Sequence, residues 1–182
     1  MSYRCQHHES PRARAGTRRP RWSFRPRSFA KLVLLAAASL AFGPSFTSGV
    51  GAQVTKIEWR NDLQFGDVWT GSVKTIQPTG SGAAHWFVEA DQNTSITLAL
   101  SVPSTLVSGR NTLPLSFASD AASWDHDSSS SGSTRFDPAL NADVTVSSSG
   151  QVFVWLGGSI SPPFGQAAGD YSGTLTLIVT TN

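Results

Sequence analysis

The chain has 182 residues, about a tenth of them aromatic, and a formal net charge of +2. The positive sign comes from the amino-terminal part, because the residues after 52 carry five basic and eleven acidic side chains, a formal net charge of −6. A mildly acidic domain has no electrostatic surface for nucleic acid or anionic lipid, which excludes those partners. The only cysteine, Cys5, precedes residue 53, so residues 53–182 contain neither an internal disulfide nor a thiolate metal site.

The beginning of the chain has the pattern of an export signal. Nine basic residues and a single acid lie within residues 4–31. Residues 32–42 then form a charge-free apolar run, which has the length of a signal-peptide core and is too short to span a bilayer of about 30 Å as a helix. Small residues follow, and they predict cleavage between Ala52 and Gln53.

The predicted cleavage divides the chain into two segments. Residues 1–52 are a signal peptide with a long basic first part, and residues 53–182 are one mature domain. We expect the mature domain in the periplasm, on the cell surface or outside the cell, without membrane association. It is long enough to be stabilised by its own core.

Apolar and polar residues alternate through the mature domain, which is the period of strands with one wet face. The apolar members of the alternating segments are, in chain order, Ile57, Trp59, Leu63 and Phe65; Ile96, Leu98, Leu100 and Val102; Leu113, Leu115 and Phe117; Val144 and Val146; and Tyr171, Leu175, Leu177 and Val179. Residues 152–156 are apolar on both faces, which predicts a central strand. About seven or eight short strands without a helical crossover predict an all-β fold, an immunoglobulin-like antiparallel β-sandwich, with a closed barrel as the alternative.

One loop has the residue types of a metal site. Asp125, His126 and Asp127, with further aspartates nearby in sequence, could supply ligands to a calcium ion. Their spacing is not that of an EF-hand, and Asp and Ser are ordinary loop residues, which favours a solvated loop. We therefore expect no metal ion and no cofactor.

Nucleophilic catalysis requires a serine or similar group beside a base and an orienting acid. After residue 52 the chain has only His85 and His126, and Gly169–Gly173 lacks the spacing of a nucleophile elbow. For His85 we expect a strand face or the core. The sequence predicts no catalytic residue and a protein that is not an enzyme.

Five tryptophans remain after residue 52, and exposed tryptophans can stack on sugar rings. They are Trp59, Trp69, Trp86, Trp124 and Trp155. Core packing is the first explanation for most of them. Trp124 lies beside the acidic, serine-rich loop and is the candidate ligand contact.

Two stretches at opposite ends of the mature domain carry a family resemblance. The first is Leu63–Val68, with the sequence LQFGDV. The second comprises Val152–Gly158, VFVWLGG, and Gln166–Leu177, QAAGDYSGTLTL. In this order they resemble DUF4402, a family of bacterial exported domains related to spore coat protein U and to fimbrial major subunits.

The resemblance implies an immunoglobulin-like sandwich and, in some relatives, assembly by donor-strand exchange, in which an incomplete sheet accepts an extended strand from a neighbour. Residues 53–62, with Ile57 and Trp59 as anchors, are the candidate donor strand. The alternative is that they form the first strand of their own domain. The missing disulfide and the terminal Thr-Thr-Asn depart from pilin patterns.

These observations predict an exported, non-catalytic structural or adhesive protein, a pilin-like subunit that assembles by donor-strand exchange. Its partners would be copies of itself or other surface subunits. The alternative is a monomeric secreted binding module, for example for carbohydrate. A hydrolase is a distant third hypothesis.

Overall fold

The structure, a computed structural model, describes residues 2–7 and 53–182, and for residues 2–7 it describes the backbone. Within these ranges the regular elements are all β-strands. The fourteen strands are β1 (Ser2–His7), β2 (Val54–Asn61), β3 (Gln64–Asp67), β4 (Lys74–Ile76), β5 (Ala84–Ala90), β6 (Ser95–Ser101), β7 (Thr105–Ser108), β8 (Asn111–Ser116), β9 (Ala122–Asp125), β10 (Thr134–Phe136), β11 (Ala142–Thr145), β12 (Gln151–Leu156), β13 (Gly158–Ile160) and β14 (Tyr171–Thr181).

The strands form two sheets. The first has five strands in the order β10-β9-β12-β5-β2, all antiparallel to their neighbours. The second contains the path β11-β6-β14-β7-β8-β13-β4, again antiparallel, and includes β1, which pairs with β14, and β3, which pairs with β1. The predicted all-β antiparallel sandwich is confirmed.

The strands are more numerous and shorter than the seven or eight expected, because several alternating runs are interrupted. Pro103 lies between β6 and β7, where its missing N–H ends ladder pairing. Gly157 separates β12 from β13, and a Cβ there would lie only 2.1 Å from the Ile76 carbonyl oxygen. The chain therefore approaches its neighbour at a distance that only glycine permits.

The core lies between the two sheets and is built largely from alternating positions of the strands. Trp86 and Val88 on β5 and Val154 on β12 are buried from one sheet. Ile96, Leu98 and Leu177, among others, are buried from the other. Alternation carries these side chains inward because successive residues of a strand point to opposite faces.

The outer face of the five-stranded sheet explains why residues 152–156 are apolar on both sides. β12 lies in the middle of that sheet, and Phe153 and Trp155 stand on its outer face. The Phe153 ring lies 5.2 Å from the Phe87 ring, and the Trp155 ring is stacked 5.0 Å from His85. Aromatic pairs at such distances are stabilising beyond their buried area.

Candidate functional site

A single strand, β1, closes the gap between β3 and the first half of β14. It runs parallel to β14, with Tyr3 opposite Tyr171 and His7 opposite Leu175. It runs antiparallel to β3, with Ser2 opposite Asp67. We refer to this gap, between residues 64–67 of β3 and residues 171–175 of β14, as the slot.

Within the described residues, β1 is the only strand that pairs with β3. Among the described strands, β1 is also the only one that pairs with this edge of the first half of β14. Ser172 pairs with Arg4 of β1 and with Val107 of β7, so these two strands lie on opposite edges of β14. Without β1, two sheet edges would face each other across the width of one strand.

The walls of the slot carry buried apolar side chains. Phe65 on β3 is 2% exposed, and Tyr171 and Leu175 on β14 are 1% and 3% exposed. A strand in the slot therefore completes the backbone ladder at the rim of the apolar core. β3 is also held from its other side, because the Gln64 N–H donates to the Gly82 carbonyl at 2.8 Å.

Tyr171 fixes the start of β14 and the loop before it. Its hydroxyl donates to the Ala167 carbonyl at 2.8 Å and accepts from the Gln166 side chain at 2.5 Å. A buried tyrosine whose hydroxyl bonds to the backbone just upstream is the tyrosine corner of immunoglobulin-like sandwiches, where it marks strand F. In that arrangement strand G lies beside strand F, and here β1 runs beside β14.

Two loops meet at the Ser2 end of the slot. One follows β3 and the other precedes β14, and the Gly71 N–H donates to the Pro162 carbonyl at 2.6 Å to join them. Gly71 has a φ of +79°, and a Cβ there would lie 2.5 Å from the ring of Phe164. Glycine favours this backbone conformation and leaves room for the exposed ring.

These loops expose two large aromatic side chains. Trp69 is 84% exposed and Phe164 is 85% exposed. Beside Trp69 lies a cavity of about 380 Å³, lined by Asp67, Val68, Trp69, Thr70 and Ala168. We refer to it as the Trp69 cavity. An exposed, apolar concave surface of this kind is typical of interaction sites.

The candidate donor anchors Ile57 and Trp59 lie on β2, at the edge of the five-stranded sheet. They are opposite Val88 and Trp86 of β5, yet 45% and 40% exposed. Residues 54–61 thus pair within their own domain, which was the alternative interpretation. Their role as a donor stays a prediction.

Trp124, the candidate ligand contact, lies on β9 and packs against the core, with its ring 5.3 Å from the His126 ring. Ligand contact by Trp124 stays a prediction. Of the predicted cleavage site, Ala52 lies outside the described residues. Gln53 is described and exposed, and its N–H donates to the Asp91 carboxylate at 2.9 Å.

The Asp125–Asp127 loop has internal hydrogen bonds. Oδ1 of Asp125 accepts from the backbone N–H groups of His126 at 2.7 Å and Asp127 at 3.2 Å. The His126 Nε2 lies 2.9 Å from the Thr145 carbonyl oxygen. In the described part of the chain, no three His, Cys, Asp or Glu residues are grouped as a metal site would require.

Two ionisable groups on the outer face of the five-stranded sheet have shifted pKa values. A hydrogen bond from Lys56 is the main cause that lowers the pKa of Glu58, which also forms an ion pair with Arg60 at 2.7 Å. Burial lowers the pKa of His85, and the positive charge of Arg60 adds to this shift. Both residues lie on the five-stranded sheet, whereas the slot lies in the second sheet.

Sequence reasoning missed the slot and the Trp69 cavity. The pairing of residues 2–7 with residues 171–175 joins segments far apart in sequence, and no local pattern encodes it. Trp69 did leave a signal, since it lies between Gly66-Asp67 and Gly71, among turn residues and outside any alternating run. An isolated tryptophan in a turn is a better candidate for an exposed side chain than a tryptophan in an alternating strand.

The comparisons give the chain a family and no named relative. Within residues 2–7 and 53–182 there is no long apolar helix of the kind that crosses a membrane. No curated protein matches the sequence. One family matches residues 33–180. This range includes residues 64–67 and 171–175, which border the slot, and does not include β1. The chain belongs to that family, the Domain of unknown function (DUF4402).

Proposed function

We propose that this chain is an exported, non-catalytic structural subunit of pilin-like kind, which assembles by accepting a β-strand from a second copy into the slot. The observation that carries the proposal is the position of β1. Residues 2–7 fill the slot, and they belong to the segment whose removal on export the sequence predicts. Cleavage after Ala52 would take the filling strand away and leave the slot open.

An open slot would be a strong acceptor for a strand. Unpaired backbone groups along a sheet edge favour pairing with another chain, and here two edges face one another. An incoming strand would form ladders on both sides, and its alternate side chains would meet the apolar wall of Phe65, Tyr171 and Leu175. Both backbone pairing and burial of apolar surface therefore favour occupancy.

β2 of a second copy is the strand that best fits this role. Among the described strands it is an edge strand that pairs with β5, and Ile57 and Trp59 at alternate positions are about half exposed there. In the slot the same strand would be paired on two sides. Its two apolar side chains would be directed to the core side, at the spacing of Tyr171 and Gly173.

The non-catalytic part of the proposal is supported by the surroundings of the two histidines that follow residue 52. His85 is stacked on Trp155 in the sheet surface, and His126 contacts the Thr145 carbonyl. These positions are explained by packing and by loop structure. They do not require a reacting group.

The test is assembly after export. The full chain is produced in a bacterial host, recovered after signal cleavage and examined without boiling on a denaturing gel. We expect a ladder of detergent-resistant oligomers that an excess of a peptide of residues 53–62 reduces to monomer. Ile57→Ser with Trp59→Ser should abolish the ladder without unfolding the domain, because both side chains are already partly exposed.

The matched control replaces exposed apolar residues elsewhere. Val73→Ser and Leu140→Ser remove side chains that are 69% and 64% exposed, and they should leave the ladder intact. A processed wild-type chain that remains monomeric at high concentration would contradict the proposal. So would an equal loss of oligomers in the control.

A further inference from the structure

A second cavity lies between two tight turns of the mature domain. It has a volume of about 410 Å³, and the described residues that line it are residues 110–112 and 163–167. The first group begins at the tip of the β7–β8 hairpin, and the second belongs to the loop that precedes β14. We refer to it as the two-turn cavity.

The first turn presents a guanidinium group. Ser108 pairs with Asn111, so Gly109 and Arg110 form a two-residue hairpin loop between β7 and β8. Gly109 has a φ of +60°, whereas the φ of Arg110 is not positive, which is the pattern of a type II′ turn. The side chain of Arg110 is exposed at this tip.

The second turn presents an aromatic ring. The Gln166 N–H donates to the Pro163 carbonyl at 3.0 Å, which closes a turn around Phe164 and Gly165. Gly165 has a φ of +84°, the conformation of the third residue of a type II turn. Phe164, the residue before it, is 85% exposed.

The side chain of Gln166 links the two walls of the cavity. Its Nε2 donates to the Thr112 carbonyl at 3.2 Å and to the Tyr171 hydroxyl at 2.5 Å. Tyr171 is buried, and its hydroxyl donates to the Ala167 carbonyl at 2.8 Å. The walls are therefore fixed before a ligand binds, which lowers the entropic cost of binding.

The charge of Arg110 is not neutralised within the domain. Three other basic side chains form ion pairs with acids of the same domain, namely Lys56, Arg60 and Arg135. Among residues 53–182, no ion pair involves Arg110. A domain with a formal net charge of −6 thus presents an unpaired guanidinium group at the edge of a cavity.

We propose that the two-turn cavity binds a sugar that carries a carboxylate group, such as a uronic acid or a sialic acid. Phe164 stacks on the apolar face of the sugar ring, and Arg110 binds the carboxylate through two parallel hydrogen bonds. The Asn111 amide binds the sugar hydroxyls. Because these contacts lie outside the slot, the inference does not require that the slot accepts a strand.

The residue types favour a sugar over other anionic ligands. A sugar ring has an apolar face and a polar rim, and the cavity combines one aromatic ring with the polar side chains of Arg110, Asn111, Thr112 and Gln166. A phosphate group or an aspartate side chain would pair with the guanidinium group but would leave the Phe164 ring in water. The volume of the cavity is in the range of small-molecule sites, about 300–1,000 Å³.

The experiment titrates the isotope-labelled full chain with two pairs of probes and follows its backbone amides by NMR. Tetragalacturonate is compared with its methyl ester, and sialyllactose with its methyl ester, so each pair differs only in the charge of the carboxylate. We expect amide shifts confined to residues 109–112 and 164–167. At least one acidic probe should bind about tenfold or more tightly than its ester.

Four variants separate the two contacts. Arg110→Gln should abolish the preference for the acidic probe, whereas Phe164→Ala should weaken both members of a pair about tenfold and keep the preference. Lys74→Gln and Trp69→Ala remove a basic side chain and an equally exposed aromatic ring that do not line this cavity, so they should leave binding unchanged. An unchanged amide spectrum outside the two turns shows that each variant is folded.

Several outcomes would overturn the inference. It is wrong if neither acidic probe binds, or if each binds only as tightly as its ester. Equal losses in Arg110→Gln and Lys74→Gln would show that net charge, and no specific contact, governs binding. If a tetra-aspartate peptide shifts the same amides and binds as tightly as the sugars, the cavity recognises acidic side chains of a protein and the assignment to a sugar is wrong.

Discussion

The two sheets of this sandwich differ in how they are completed. The five-stranded sheet is built only from residues 54–156, and all of its strands belong to the predicted mature domain. The second sheet depends on residues 2–7 to join β3 to β14. One sheet is therefore complete after the predicted cleavage, and the other becomes open.

The difference indicates that the two sheets, which share one core, have different roles. The five-stranded sheet carries Trp86 on its inner face and a packed aromatic surface on its outer face. The second sheet shares the same core but has an edge that another strand can occupy. Stability should therefore depend mainly on the first sheet, and acceptance of a strand on the second.

The largest expected effect on the free energy of unfolding comes from a substitution on the inner face of the five-stranded sheet. Trp86 is 1% exposed, and Trp86→Ala should lower the free energy of unfolding by about 3–5 kcal/mol because it removes a buried ring and leaves a cavity. Chemical denaturation of the full chain measures this. Trp69→Ala is the matched control and should change stability by less than about 0.5 kcal/mol, since its ring is exposed. Equal effects would contradict the assignment of stability to the five-stranded sheet.

A smaller effect is expected when the slot is opened. Arg4→Pro with Gln6→Pro should lower the free energy of unfolding by an amount on the order of 2 kcal/mol, because several net hydrogen bonds are lost. Hydrogen exchange should accelerate at residues 64–67 and 171–175 and stay unchanged at β12. Acceleration spread over both sheets would show that β1 stabilises the whole sandwich and would remove the distinction between them.

The sequence predicted the fold better than the site, and particular residues show why. Ile96, Leu98 and Leu177 alternate with polar residues, and alternation is a local signal that survives folding. The pairing of Cys5 with Gly173 joins residues far apart in sequence, and it depends on which edge of β14 stays unpaired. The sequence singles out Trp124 because it adjoins a polar loop; its ring packs against the core from β9, and ligand contact by Trp124 stays a prediction.

The five-stranded sheet should also carry a pH dependence. Burial, with Arg60 nearby, lowers the folded-state pKa of His85 below its ordinary value of about 6.5. The unfolded chain therefore binds this proton more readily, so stability is lost as the pH falls below about 6.5 toward the folded-state pKa. His85→Phe keeps a ring beside Trp155 and removes the titration.

The measurement is the melting temperature at about pH 5 and about pH 7.5, on either side of the ordinary histidine value. The fall in the melting temperature toward acid should be smaller for His85→Phe than for the wild type. Identical pH profiles for the two chains would show that His85 does not contribute. In that case the acid dependence would have to come from carboxylates such as Glu58.

The smallest effect concerns the junction that cleavage would create. The Gln53 N–H donates to the Asp91 carboxylate at 2.9 Å, at an exposed site beside the first residue of the five-stranded sheet. Cleavage after Ala52 would turn this amide into an ammonium group and the hydrogen bond into a surface ion pair. Asp91→Asn should then destabilise the processed chain by about 0.5–1 kcal/mol and the unprocessed chain by less.

The comparison is made in a Gln53→Ser background, because an amino-terminal glutamine cyclises and loses its charge. The destabilisation of the processed chain should shrink as salt is raised, since exposed charges are screened. If Asp91→Asn has the same effect before and after processing, the new amino terminus is not held by Asp91. Cleavage would then open the slot without any compensating contact at the other sheet, and the two sheets would respond to processing independently.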